Sequence, residues 1–245
     1  MFHRRKSSLR DRVYQTFYDP NARGFYAVND ILALATLASV LAIILETVPS
    51  LEKYMSFFLV IEWVAVALFS LEYVLRIFAN GRLAGKYIFS FFGIIDLIAI
   101  LPSFLGLSNF TFLKTARTLR ILRLLRMVRL AKLAKVPRKK GYDVENTVGA
   151  FSISMQIYFA ALLTGIILFG SLMYLAEGYR PEFESIPLAM LWAVKVTIGG
   201  IPQYMPETVW GEFITIGSRF FGLLLFGLLI AITGQAFKKL LLGSR

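Results

Sequence analysis

Basic residues recur at every third position between residues 114 and 135, and the residues between them are almost all apolar. On an α-helix a step of three residues turns about 300°, so these charges form a slow spiral; on a 3-10 helix they form one stripe. Charges at membrane depth cost at least a few kcal/mol each unless they are paired or hydrated, and such residues are usually functional. The series comprises Lys114, Arg117, Arg120, Arg123, Arg126, Arg129, Lys132 and Lys135.

A basic helix that spans a membrane needs acidic partners. Glu62 and Glu72 lie ten residues apart in one apolar segment, about 15 Å along a helix, and Asp96 lies in the next segment. Phe69, one turn before Glu72, could separate two hydrated zones, and Arg76 is spaced to pair with Glu72. Static salt bridges are one interpretation. A sliding register is favoured, because eight cations share three acids. A basic helix lying on the membrane surface is disfavoured, because it needs one wide polar face.

The composition predicts a membrane protein. The chain has 245 residues, of which 57% are hydrophobic and 17% are charged, against roughly 45–50% and about 25% in soluble domains. Disorder is excluded by the high hydrophobicity. A net charge of +12 would suggest nucleic acid in a soluble protein. Here the basic residues lie beside or inside apolar runs, so membrane topology and voltage explain them better.

Catalytic and metal-binding residues are scarce. The chain has no cysteine, and its one histidine, His3, lies in the polar N-terminal arm. Disulfides, thiolate metal sites and histidine-based triads are therefore excluded. We expect no enzyme activity, no metal or cofactor, no small-molecule substrate and no nucleic-acid partner.

Six apolar spans are expected, each needing roughly 20 residues. A basic arm at 1–27, with a short interfacial helix at Leu9–Tyr18, lacks the features of a signal peptide. Basic loops share one side, and loops with acids such as Glu46 and Glu177 share the other, so the positive-inside rule places both termini in the cytoplasm. The expected segments are Val28–Val48, Tyr54–Ala79, Tyr87–Phe104, the basic element Phe112–Val136, a linker at 137–150, Phe151–Ala176, a short piece at Ile186–Ile198, Phe213–Leu242 and a tail at 243–245.

Four motifs together resemble the six-helix voltage-gated cation channel superfamily, and prokaryotic voltage-gated potassium channels most closely. The motifs are Leu45-Glu46-Thr47-Val48-Pro49, Phe69-x-x-Glu72-x-x-x-Arg76, Ile94-Ile95-Asp96-x-x-Ala99-Ile100-x-Pro102 and the Arg-x-x-Arg series. The resemblance implies an all-α membrane protein with a four-helix voltage sensor at 28–136. It also implies a two-helix pore module with a re-entrant pore helix at 151–242. The assembly implied is a homotetramer in the lipid bilayer of the cell membrane.

The resemblance also implies residue roles. Phe69, Glu72 and Asp96 would form a charge-transfer centre, and Glu62 would be the outer countercharge. Moving one charge through the field is worth about 2.3 kcal/mol per 100 mV, which is enough in four subunits to drive a steep gate. The gating charges would be Arg117, Arg120, Arg123, Arg126, Arg129, Lys132 and Lys135.

The expected filter departs from the family's Thr-Val-Gly-Tyr-Gly-Asp. Its residues, which would bind the permeant monovalent cation (K⁺ being expected) through backbone carbonyls, are Thr197, Ile198, Gly199, Gly200 and Ile201. Ile201 replaces the second glycine, and a β-branched residue strongly disfavours positive φ. Gly200 removes an aromatic residue and Pro202 removes an N–H donor. We therefore expect altered cation selectivity.

Three further residues carry open alternatives. Lys195 would repel cations if it faced the pore; otherwise it lies behind the filter or pairs with an acid such as Glu207. Gly222 and Gly227 are either gate hinges or packing glycines.

The main functional prediction is a voltage-gated cation channel, with potassium the expected ion. The alternative is a voltage-sensing membrane protein whose pore is non-selective, anion-conducting or non-conducting. A secondary transporter is disfavoured, because internal repeats and paired broken helices are absent from the sequence.

Overall fold

The computed structural model describes residues 9–22, 24–105, 122–126 and 147–242, and every regular element in these ranges is helical. The chain divides into two compact units, Met1–Glu46 with Ser50–Pro137 and Thr47–Pro49 with Arg138–Arg245. Several predictions fall outside the described residues: the arm at 1–8, the linker at 137–146, the tail at 243–245, and most of the basic element, including Arg117, Arg120, Arg129, Lys132 and Lys135.

Between residues 9 and 105 the described part of the first unit contains five α-helices, which surround a small apolar core. Its centre lies on the second long helix, where Ala65, Val66 and the fully buried Phe69 pack with Ile100. Short 3-10 turns, Pro49–Tyr54 and Gly81–Leu83, flank this helix. The helices are α1 (Leu9–Tyr18), α2 (Phe25–Glu46), α3 (Met55–Asn80), α4 (Ala84–Ile88) and α5 (Phe91–Leu105).

The expected third span is broken in the structure. Helix α4 ends at Ile88, and α5 begins at Phe91. Ser90 causes the break: its hydroxyl accepts a hydrogen bond from the Gly93 N–H (3.1 Å), the geometry of a helix N-cap. Gly93 also approaches the Tyr87 carbonyl so closely that a side chain would overlap it. Tyr87 therefore stands on a separate short helix instead of in the first turn of the span.

The N-terminal helix α1 docks on the end of α3. The Arg10 Nε donates a hydrogen bond to the Ala79 carbonyl (3.2 Å), and its guanidinium fills the space beside Gly81. The Asn80 amide donates to the Tyr18 hydroxyl (3.0 Å). A cation near the last carbonyls of a helix is favourable. Helix α1 has the bounds expected from the sequence, and it is held by contacts to α3.

Between residues 147 and 242 the second unit contains three α-helices: α6 (Thr147–Glu177), α7 (Ile186–Thr197) and α8 (Val209–Leu242). Pro187 lies in the first turn of α7, where its missing N–H costs nothing. Four bounds differ from the expected ones: α6 ends one residue later and α7 one residue earlier than expected, and the two larger differences are early helix starts. Helix α6 begins inside the expected linker, and α8 begins four residues before Phe213 because Thr208 caps it, accepting a hydrogen bond from the Gly211 N–H (3.0 Å).

In the part of the chain that the structure describes, four helical segments are long and apolar enough to cross a membrane. They are Phe25–Glu46, Pro49–Ile88, Phe151–Glu177 and Val209–Lys238; shorter apolar helices occur at Phe91–Phe104 and Ile186–Thr197. Much of their surface is exposed apolar side chain, including Leu34, Val60 and Leu223. The described helices are those of a multi-pass membrane protein.

Candidate functional site

Two consecutive cations of the basic series share one buried carboxylate. Arg123 Nη1 contacts Glu62 Oε2, and Arg126 Nη2 lies 3.5 Å from Glu62 Oε1. Glu46 adds a second acid, with its Oε1 at 3.7 Å from Arg123 Nη2. Glu62 is 5% exposed and Arg126 is 0% exposed. Because a buried charge is tolerated only when it is paired, this cluster holds both arginines at one level of the unit.

Ser103 completes the cluster. Its hydroxyl accepts a hydrogen bond from Arg126 Nη2 (3.1 Å) and donates one to Glu62 Oε1 (3.1 Å). The Arg126 Nε donates to the Arg123 carbonyl (2.8 Å). Residues 122–124 are α-helical, and residues 125 and 126 have 3-10 conformation. In a 3-10 helix residues three apart lie on the same side, so Arg123 and Arg126 can reach the same acid.

A second ion pair occupies the other part of α3. Arg76 Nε lies 2.8 Å from Glu72 Oε1, the pairing expected from the four-residue spacing. Both side chains are buried. The aromatic rings of α1 cover the Arg76 guanidinium, with Phe17 at 4.7 Å and Tyr18 at 5.5 Å from ring centroid to carbon Cζ. Such contacts with an aromatic face stabilise a cation.

Asp96 lies close to this second pair. Its Oδ2 accepts a hydrogen bond from the Tyr87 hydroxyl, and both Asp96 and Glu72 act electrostatically on Arg76. Phe69, with no exposed surface, lies between Glu62 and Glu72 along α3. The structure thus provides one acidic group at Glu62 and another at Glu72 and Asp96, with a buried aromatic residue between them along the helix.

Sequence reasoning missed three members of these clusters. Glu46 was counted as a loop acid, although it ends α2 beside Arg123. Ser103 lies seven residues after Asp96, about two helical turns along the same face, and that spacing could have marked it. Tyr87 could not be found from periodicity, because the break at Ser90 determines where its hydroxyl points.

The expected filter begins as a capped helix end. The Gly200 N–H donates to the Lys195 carbonyl (2.8 Å), and the Gly199 N–H donates to the Val196 carbonyl (3.1 Å). Gly199 has a φ of 90°. These are the two hydrogen bonds and the positive φ of a Schellman cap. The glycine thus ends α7, and residues 198–201 follow as an exposed loop in which Ile201 is 88% exposed.

Lys195 is exposed, and within the described ranges it makes no ion pair. Glu207, considered above as its partner, instead pairs with Arg180 (Oε1 to Nη2, 3.5 Å). The alternative of a Lys195–Glu207 pair is therefore wrong for this structure. An exposed cation remains two residues before Thr197.

Glu177, at the end of α6, ties the segment after the expected filter to the start of α8. Its Oε1 accepts hydrogen bonds from the Glu207 N–H (2.9 Å), the Thr208 N–H (2.7 Å) and the Thr208 hydroxyl (2.7 Å). Its other oxygen accepts one from Arg180 Nη1 (3.2 Å), which also donates to the Met205 carbonyl (2.8 Å). Glu177 is completely buried. Sequence reasoning had treated it as a loop charge.

A comparison with protein-family models matches residues 26–241 to the ion transport protein family. The chain belongs to that family. Membership of the ion transport family agrees with the resemblance to voltage-gated cation channels and indicates a channel, not an enzyme.

Curated relatives of this ion transport protein carry potassium-channel names. It is 26% identical to the potassium voltage-gated channel protein Shal of Drosophila melanogaster, over 96% of this chain and 43% of the relative. It is 25% identical to the A-type voltage-gated potassium channel KCND3 of Rattus norvegicus, over 95% of this chain and 38% of the relative. A Rhodopseudomonas palustris relative that also carries a potassium-channel name is 29% identical, over 87% of this chain and 54% of the relative. The chain thus spans roughly two-fifths to half the length of these relatives.

The two glycines expected as hinges of the ion transport protein differ in their surroundings. A Cβ on Gly222 would overlap the Thr197 carbonyl oxygen, whereas a Cβ on Gly227 meets no atom within 4 Å. Replacing Gly222 by alanine is expected to destabilise the protein by about 1–3 kcal/mol, because α7 and α8 must separate. Replacing Gly227 by alanine is the matched control and is expected to be neutral or stabilising by up to about 1 kcal/mol.

Thermal denaturation of the purified variants in detergent measures both effects. Equal stability of the two variants would contradict the close contact at Gly222. The hinge role is tested separately by the opening rate of Gly227→Ala, since that substitution stiffens α8 without a steric clash.

Proposed function

We propose that this chain forms a voltage-gated cation channel, with K⁺ as the expected permeant ion. Four copies surround one pore, the basic series 117–135 carries the gating charges, and both termini lie in the cytoplasm. One observation supports the proposal most directly: Arg123 and Arg126, three residues apart, share the buried Glu62. Cations at equal steps can replace one another at the same acid, which a voltage-driven sliding helix requires.

The roles of the acids follow from the spacing of Glu62 and Glu72 on α3 and from the position of Asp96 on α5. Glu62 holds two cations at one level, while Glu72 and Asp96 offer a second acidic level about 15 Å away. Phe69 occupies the interval and excludes water there. In this proposal a basic side chain passes Phe69 as it moves between the two levels. Glu62, Phe69, Glu72 and Asp96 therefore keep the roles that the family resemblance implies.

A second candidate is a voltage-responsive protein with an anion-conducting or non-conducting pore. Two observations favour it: residues 195–200 form a helix cap, and Lys195 is exposed. The carbonyls of Lys195 and Val196 are engaged by the cap and are not free to bind an ion. Within the expected filter at residues 197–201, the Thr197 carbonyl packs against Gly222 of α8.

Planar bilayers containing the purified protein test both candidates. We expect voltage-dependent current that, in a tenfold gradient of potassium chloride, reverses near the potassium potential. With potassium chloride on one side and sodium chloride on the other, we expect a smaller reversal voltage than a strictly potassium-selective pore gives. The reason is that the filter departs from the family sequence. Reversal near the chloride potential would support the anion-conducting alternative. Charge movement without ionic current would support the non-conducting one.

A further inference from the structure

Arg219 is a basic residue inside the apolar helix α8. It lies ten residues after Val209, about 15 Å along the helix axis, within the segment that is long and apolar enough to cross a membrane. Its side chain is exposed, and among residues 147–242 it has no ion-pair or hydrogen-bond partner. On α8 the nearest acid is Glu212, seven residues away and so about 10 Å distant along the axis.

The packing of α8 against α6 defines the direction in which Arg219 points. Phe221 packs against the Phe169 ring, with centroids 5.6 Å apart, and fills the space beside Gly165. Gly217 approaches the same Phe169 ring. Arg219 is two residues from both Gly217 and Phe221, which is about 200° of rotation on an α-helix. Its side chain therefore lies on the side of α8 that faces away from α6.

The side of α8 next to this face contacts the end of α7. The Ser218 hydroxyl is 2.9 Å from the Thr197 hydroxyl, and Gly222 touches the Thr197 carbonyl. Arg219 lies between these two contacts along the chain. It therefore stands at the level of Thr197, where the expected filter begins. Phe226 and Ile230, seven and eleven residues on, project in nearly the same direction as Arg219, and both are exposed.

An arginine at this depth does not face lipid at low cost. Charged residues within membrane spans almost always point to the interior of a bundle or to a water-filled cavity. The side of α8 that carries Arg219, Phe226 and Ile230 faces away from α6, and the cost of an arginine in lipid makes it the inner side in the proposed assembly of four copies. We propose that Arg219 lines the ion pathway beside Thr197, where four copies form a ring of positive charge that opposes cation passage and determines the discrimination between cations and anions.

This inference rests on the proposed function and assigns a selectivity role to a residue outside the filter and the voltage sensor. The ring lies about 10 Å deeper along α8 than Glu212 and beyond Glu207, which precedes that helix. Cations attracted by these two exposed acids would approach the ring from that end of α8. Close, poorly screened charges change ion occupancy strongly, so neutralising the ring should have a large effect.

The test is Arg219→Gln in planar bilayers, in a tenfold gradient of potassium chloride. We expect the permeability ratio of potassium to chloride to rise about tenfold, and the single-channel potassium conductance to rise about threefold or more. Arg219→Lys keeps the charge and should leave both quantities near the parent values. Lys238→Gln removes a basic residue from the same helix but about 100° away from the Arg219 direction, and it should also leave both unchanged.

The natural absence of cysteine allows a second measurement on a folded channel. Arg219→Cys is expected to behave like Arg219→Gln. A water-soluble, positively charged methanethiosulfonate reagent should then restore the parent reversal potential, and a negatively charged one should move it further toward the potassium potential. This distinguishes a charge effect from a packing effect.

The outcomes separate the two proposals. This inference alone is overturned if the parent conducts and Arg219→Gln changes neither the reversal potential nor the conductance, while neither reagent changes the reversal potential of Arg219→Cys. Absence of current in the parent and in all variants overturns the proposed conducting function. If the parent protein carries no current and the Arg219→Gln variant does, the result supports the ring of charge as the element that blocks conduction.

Discussion

Replacing Arg123 and Arg126 together by glutamine will reduce the charge moved per channel by about half. The reason is that 3–4 charges per subunit normally carry the voltage dependence, and these two occupy the shared carboxylate Glu62. The measurement is the gating charge, obtained from the limiting slope of the conductance–voltage relation or from gating currents. The activation curve should become correspondingly shallower.

The matched control removes two other cations from the same unit. Arg82 and Lys86 are exposed and lie at the α3–α4 turn, outside the three-residue series. Their double replacement by glutamine should leave the gating charge unchanged. Removing both arginines leaves Glu62 buried without a cation from the described residues, which is costly. A triple variant that adds Glu62→Gln therefore guards against misfolding. An unaltered gating charge in the folded triple variant would refute the sensing role of Arg123 and Arg126.

Replacing Glu177 by alanine will destabilise the second unit by about 3–5 kcal/mol, the range for breaking a buried charge pair by removing one partner. Its carboxylate is fully buried and accepts hydrogen bonds from two backbone N–H groups, one hydroxyl and Arg180. Donors left unsatisfied in a buried site add to the loss. Thermal denaturation of the purified protein in detergent measures the effect, and Glu177→Gln should show a smaller one.

Glu184→Ala is the control for this prediction. Glu184 is exposed and makes no ion pair with other described residues, so its replacement should change the free energy of unfolding by less than about 0.5 kcal/mol. If Glu177→Ala and Glu184→Ala have the same stability, the hydrogen bonds at Glu177 do not hold the start of α8. The current through Glu177→Ala in planar bilayers then shows whether the segment at residues 205–208, which Glu177 holds, is also needed for an open pore.

Hydropathy and chain breakers predicted most of the helices. Helix α1 has the predicted bounds, and α3 differs from the predicted span by one residue at each end. Helix α3 is one long apolar run that ends at Asn80-Gly81, and the shorter, mixed α1 ends just before Asp19-Pro20. The break at Ser90 was missed because apolar residues continue on both sides of it, and only the capping hydroxyl reveals it. The early start of α8 was missed for the same reason at Thr208.

Which side chains contact one another was harder to predict than which residues carry charge at membrane depth. The sequence marks Glu62 and Arg126 as charges at membrane depth, but it does not say that Glu46 and Ser103 join them. Glu177 shows the same limit: its spacing from Thr208 is 31 residues, and only the packing of α6 beside α8 brings them into hydrogen-bond distance. Arg219 was overlooked because one cation in a long apolar helix leaves no periodic signal.

The contact between α1 and the end of α3 also constrains the topology of the protein. Arg10 and Tyr18 touch Ala79 and Asn80, so the N-terminal helix and the turn at Gly81–Leu83 must lie on the same side of the bilayer. The chain between them must then cross an even number of times, which α2 and α3 satisfy as a hairpin. If α2 and α3 each cross the bilayer, as their length and apolar composition allow, the turn at Pro49–Tyr54 lies on the opposite side. The even number of crossings follows from two hydrogen bonds alone, independently of any count of charged residues in the loops.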